Sequence, residues 1–93
     1  MKYLHTMIRI KNVEESLRFF CEGLGLKETR RMEDEKGRYT LIFLAAPNDD
    51  KAEIELTYNW DGDELGEGSR NFGHLAYRVD NIYDTCKLSL IHI

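Results

Sequence analysis

The sequence predicts an α+β fold: one complete β-α-β-β-β module followed by the start of a second. Three observations predict it. Several short segments alternate apolar and polar residues with a period of two, the mark of strands with one buried face. Residues 12–24 instead carry apolar residues at helical spacing. The order strand, polar cap, helix then recurs from residue 72, as expected of an internal repeat.

Residues 3–10 form the first strand, with Leu4, Ile8 and Ile10 to one side and His5, Met7 and Arg9 to the other. Asn12 starts the helix, with Glu15 as its capping-box partner. Val13, Leu17, Phe20 and Leu24 share the helix's apolar face, and Gly23 and Gly25 end it. Residues 26–33 and 38–46 read as two strands joined by a polar turn containing Gly37. Residues 47–50 form the next turn, and 52–60 the fourth strand.

The first module thus occupies residues 1–60, and 61–71 is a Gly-rich acidic linker without apolar periodicity. Residues 72–79 form a fifth strand, after which Asp80 and Asn81 open a helix. A complete module takes roughly 55–60 residues, so the second, residues 72–87, is expected to be incomplete. Residues 88–93 form an anomalous tail, strand-like in pattern and expected to be non-native. Such a chain leaves Leu75, Tyr77 and Val79 without covering strands.

Composition narrows the function. The chain has 93 residues, 42% hydrophobic and 32% charged, which is ordinary for a globular protein. A formal charge of -4 argues against nucleic acid or an anionic membrane as partner. No segment approaches the roughly 20 apolar residues of a membrane span. Cys21 and Cys86 lack metal or redox spacing and read as free thiols in a reducing cytoplasm.

The chemistry lies on the polar faces of three strands. His5 is on the first, Glu55 on the fourth with Glu53, Thr57 and Asn59, and His74 on the fifth with Phe72, Ala76 and Arg78. Imidazole and carboxylate together suit a divalent transition metal. Taken singly, each of the three also reads as a solvated or satisfied surface residue, and spacing alone leaves both readings standing. Each candidate ligand has a polar companion four residues away: Arg9 after His5, Asn59 after Glu55, Arg70 before His74. Four strand residues span about 13 Å, so a ligand touching both groups would be extended and peptide-sized. Arginine at its far end suits carboxylates. His92, in the tail, is the one other histidine and a weak candidate.

The strings HTMIRI at 5–10, EGLGL at 22–26, IELTYNW at 54–60 and FGHLA at 72–76 resemble, in order and spacing, glyoxalase I of the vicinal-oxygen-chelate superfamily. The resemblance runs to about Lys87. It implies paired β-α-β-β-β modules around a metal, in a homodimer with interface sites. It places His5, Glu55 and His74 on three of four metal-ligand positions and Arg9, Asn59 and Arg70 on positions that hold glutathione. Histidine at the first ligand position is similar to the bacterial nickel- or cobalt-activated type, whereas zinc-type enzymes have glutamine there. Nickel is therefore expected, with cobalt and zinc as alternatives.

The activity implied is that of a lactoylglutathione lyase, which isomerises the hemithioacetal of methylglyoxal and glutathione to S-lactoylglutathione. Glu55 would serve one proton transfer. The principal base implied is a glutamate late in the second module, without counterpart in these residues, so the 93-residue chain alone is expected to be inactive. Two alternatives stay open: another metalloenzyme of the superfamily, such as an epimerase, dioxygenase or thiol transferase, or a non-enzymatic small-molecule-binding module.

Overall fold

The computed structural model describes residues 1–62 and 71–91, with side chains described through Lys87. Arg70 and His92 lie outside the described residues. The elements are β1 (Lys2–Ile10), α1 (Val13–Leu17), a π-helical turn (Arg18–Gly23), β2 (Lys27–Asp34), β3 (Tyr39–Ala46), β4 (Asp49–Asn59), β5 (Phe72–Arg78) and α2 (Ile82–Ile91). The expected α+β order is present, with five strands in one sheet ordered β2-β3-β4-β1-β5. β1 runs parallel to β4, and every other neighbouring pair is antiparallel.

The helical segment begins as the sequence predicts, with the Glu15 backbone N–H donating to Asn12 Oδ1 at 2.9 Å. Such a cap satisfies a donor that has no partner inside the helix. The segment then widens. Leu24 N–H bonds to Phe19 O, five residues back, in place of the usual four. The wider turn absorbs one residue and rotates the face, so Cys21 packs on the core while Leu24 is 60% exposed. Leu24 was expected on the apolar face and is not there. Gly25 closes the segment at φ 80°, a conformation that costs glycine nothing.

The core lies between this segment and the sheet. Ile42, Leu44 and Leu56 are fully buried, joined by Ile10 and flanked by Ile8, Val13, Leu17, Phe20, Cys21, Leu26, Ile54 and Tyr58. Burying each such aliphatic side chain contributes about 1.5–3 kcal/mol. β4 starts at Asp49, three residues before the expected 52, because the turn from β3 needs only Pro47 and Asn48. At the other end of β4, Trp60 Nε1 donates to Thr40 at 2.8 Å. Nearby, the Arg38 guanidinium donates two hydrogen bonds to Asp61, at 2.8 and 3.0 Å. That bond holds the Asp61 carboxyl below its ordinary range and raises Arg38.

β5 adds to the β1 edge and has no strand on its other side among the described residues. Among the described residues Leu75 and Tyr77 are 54% and 51% exposed, while Val79 is half-buried. The backbone from Ile82 to Ile91 is helical, which corrects the strand-like reading of residues 88–91. Asn81 Oδ1 accepts from the N–H groups of Tyr83 and Asp84, and a helix so nucleated continues through residues whose alternation alone suggested a strand. Cys21 and Cys86 are both free thiols. No described helix is long and apolar enough to cross a membrane.

Candidate metal centre and substrate face

The pairing of β1 with both β4 and β5 assembles the site. Met7 is opposite Glu55 in the parallel ladder and opposite His74 in the antiparallel one. Strand residues directly opposite share a face, so Glu55 and His74 flank the same stretch of β1 from its two sides. His5, two residues back, shares that face. His5 Nε2 lies 3.2 Å from His74 Nε2 and 3.7 Å from Glu55 Oε1. Ligand atoms of all three residues fall within 4.8 Å of one another.

A glycine makes the β5 side of this arrangement possible. His74 pairs with Met7 but Phe72 pairs with Ile8, so Gly73 is an extra residue in the ladder. A Cβ on Gly73 would collide with the Met7 side chain and stand 3.2 Å from the Met7 carbonyl oxygen. The bulge also brings Asn71 beside Arg9: Arg9 N–H donates to Asn71 O at 2.6 Å, and Asn71 Nδ2 donates to Arg9 O at 3.2 Å.

The donor set fits a metal ion. Nitrogen and oxygen ligands bind zinc-like cations at about 2.0–2.2 Å, so neighbouring donors on one ion stand roughly 3–3.5 Å apart, close to the His5–His74 and His5–Glu55 separations. Glu55 is only 8% exposed. Besides its contact with His5, it accepts a hydrogen bond from the Thr57 hydroxyl at Oε2, at 3.3 Å. A carboxylate so buried needs compensating positive charge, which a divalent cation between two imidazoles supplies.

Two features of the face were not singled out from the sequence. Phe43 of β3 packs edge-on to the His5 ring, centroids 5.8 Å apart, and the Arg30 guanidinium lies 3.7 Å above the Phe43 ring. Glu53 holds Arg30 at 3.4 Å and accepts a short hydrogen bond from Thr29. Thr29 is itself the extra residue where β2 shifts register against β3. Extending the period-two pattern to β3 would have placed Phe43 on the metal face. The shift at Thr29 has no sequence signal comparable to a glycine.

The strand directions explain the companions at four-residue spacing. β1 and β4 are parallel, so Arg9 and Asn59 extend from their ligands toward the same end of the sheet. Arg9 Nη1 also donates to Phe72 O at 3.2 Å, leaning toward β5. A cleft of about 350 Å³ opens beside Arg9, bounded by Asn12, Phe19, Phe20 and Asn71 among others. None of His5, Glu55 and His74 lines it, so the cleft is separate from that cluster.

The family follows from comparison with known sequences. Residues 2–88 match the model of the glyoxalase/bleomycin resistance protein/dioxygenase superfamily. The chain belongs to that superfamily. Within it, the chain is 42% identical over 88 residues to the lactoylglutathione lyase of Haemophilus influenzae, covering 94% of this chain and 64% of that protein. It is 43% identical over 89 residues to a probable lactoylglutathione lyase of Synechocystis, covering 92% of this chain and 66% of the relative. Glyoxalase I of Leishmania major, described as trypanothione-dependent, superposes with a TM-score of 0.61 at 32% identity, over 99% of this chain and 66% of that one. The chain therefore spans slightly less than two thirds of the length of the first of these relatives, and about two thirds of the others named here.

Proposed function

We propose that the whole protein is a lactoylglutathione lyase acting on the hemithioacetal of methylglyoxal and glutathione. The observation that carries this reading is the convergence of His5, Glu55 and His74 with Arg9 and Asn59 extending to one end of the same face. Superfamily enzymes of other chemistry have no reason to keep a peptide-binding arm at that distance from the metal. The relatives named lactoylglutathione lyase support the same conclusion.

In this reading His5, Glu55 and His74 hold the metal, nickel by preference, with cobalt and zinc as alternatives. When bound, the metal supplies a Lewis acid that stabilises negative charge on the substrate oxygens. The protein's own groups do the rest. Arg9, Asn59 and Arg70 anchor the carboxylates and amides of glutathione, so that binding energy far from the reacting carbons orients them. Glu55, buried beside the two imidazoles, accepts or returns a proton on one face of the substrate. The other transfer falls to a glutamate that the family resemblance places outside these residues. Phe43, packed edge-on to the His5 ring, shields that imidazole from water. A homodimer and a cytoplasmic location complete the proposal, although the three ligands meet within one chain and do not themselves need a second subunit.

The test is an isomerase assay on the metal-loaded protein, combined with Arg9→Ala. The variant should retain its metal and lose roughly ten- to a hundredfold in affinity for glutathione-derived inhibitors, the cost of one charged hydrogen bond. Absence of hemithioacetal isomerisation by the metal-loaded protein, or unchanged inhibitor affinity in Arg9→Ala, would remove the lyase reading.

A further inference from the structure

His5, Arg9 and Asn12 recur with the same spacing as His74, Arg78 and Asn81. The repeat extends to function in the structure: both histidines converge on the candidate metal site, and both asparagines cap a helix. Arg78 is therefore the counterpart of Arg9. Because β1 and β5 are antiparallel, the two copies are related by an approximate two-fold between them, and the two arginines stand toward opposite ends of the metal face.

The ladder fixes which side Arg78 is on. β5 alternates regularly from His74 through Ala76 to Arg78, and Ala76 is opposite His5. β1 shifts register between Tyr3 and His5, so Tyr3 turns to the helix side with Thr6. Its hydroxyl lies 2.9 Å from Thr6 Oγ1, and its ring packs edge-on to Tyr77 at 5.7 Å. The next pair outward, Lys2 and Arg78, therefore stands on the metal side. Both are exposed, and no carboxylate pairs with either among the described residues. Like charges directly opposite in a ladder are destabilising. Lys51, four residues before Glu55 on β4, adds a third cation toward the same end, where Asp49 and Asp50 also lie.

We propose that Lys2 and Arg78 form a second anion subsite, which receives a carboxylate on the arm of the substrate opposite glutathione. This rests on the lyase reading for the direction of the substrate. With the thiol arm extended toward Arg9 and Asn59, the carbon chain contributed by the 2-oxoaldehyde leaves toward the other end of the β1–β5 ribbon. Arg78 lies two strand residues, about 7 Å, beyond the pair Ala76–His5, within reach of a short chain ending in a carboxylate. The substrate class is thus 2-oxoaldehydes that carry a terminal carboxylate, taken as their glutathione hemithioacetals alongside methylglyoxal.

The experiment compares the two hemithioacetals in wild type, Arg78→Gln and Lys2→Gln. Arg78→Gln should lower kcat/KM for the carboxylate-bearing substrate roughly tenfold relative to that for methylglyoxal, with a smaller change in the same direction for Lys2→Gln. Raising the salt concentration should erode the wild-type preference in parallel. An unchanged ratio in Arg78→Gln overturns the subsite while leaving the lyase reading intact. Should neither substrate react, the lyase reading fails, and titration of the protein with succinate decides the subsite. Saturable amide shifts at Lys2, Ala76 and Arg78 that vanish in Arg78→Gln support it; their absence in wild type overturns it.

Discussion

The β1–α1 region and the β5–α2 region are built from the same sequence pattern and end in different physical states. In each, a strand carries histidine and arginine four residues apart, and an asparagine then caps a helix. In the first, β3 and β4 complete the sheet and α1 closes over it, so Ile10 joins fully buried Ile42, Leu44 and Leu56. In the second, Leu75, Tyr77, Ile82 and Tyr83 are all more than half exposed. Local pattern decides which element forms; burial depends on the strands that come to lie beside it. The candidate site draws on both regions, with Glu55 and His5 in the packed one and His74 on a strand that is paired at one edge only among the described residues.

Mutations in the two cores should show the largest contrast. Leu56→Ala leaves a cavity in the packed region and should cost about 2–5 kcal/mol in denaturant unfolding. Leu75→Ala, on the uncovered face, should stay within about 0.5 kcal/mol of wild type. Equal losses would mean that the helix-side face of β5 is covered in solution, and the contrast would break.

The helix caps should sharpen it on a smaller scale. Asn12→Ala removes the acceptor for Glu15 N–H in a helix docked on the core, so about 1 kcal/mol of global stability should go. Asn81→Ala removes two such bonds from α2, but the loss should appear as local fraying, seen as faster amide exchange in residues 83–85 with little change in the global value. A global loss from Asn81→Ala matching that from Asn12→Ala would show that α2 is docked as firmly as α1.

Much of this was legible from period two alone. The alternation in residues 52–60 puts Glu55 on the polar side whatever its neighbours, and the same rule separates His5 from Ile8. What the pattern lacked was anything set by long-range pairing. The parallel alignment of β1 with β4 has no local signature, yet it sends Arg9 and Asn59 the same way. Irregularities reset the faces: the shift near Leu4 turns Tyr3 to the helix side, and the π-helical turn replaces Leu24 by Cys21 on the core. Both depend on packing across the sheet, which composition and spacing do not encode. The glycine at 73 was visible as a residue, but its purpose becomes clear only when Met7 stands beside it.

Metal affinity tests directly whether the two regions meet in one site. Titration of the protein with nickel or cobalt should show one ion bound through His5, Glu55 and His74, and occupancy should fall together with turnover in Glu55→Gln. The decisive variant is His74→Ala, the candidate ligand that the described residues of the second region supply, which should weaken binding by at least about tenfold while the fold of the first region stays intact. Wild-type affinity in His74→Ala would show that the packed region holds the metal alone, and the shared site would be wrong.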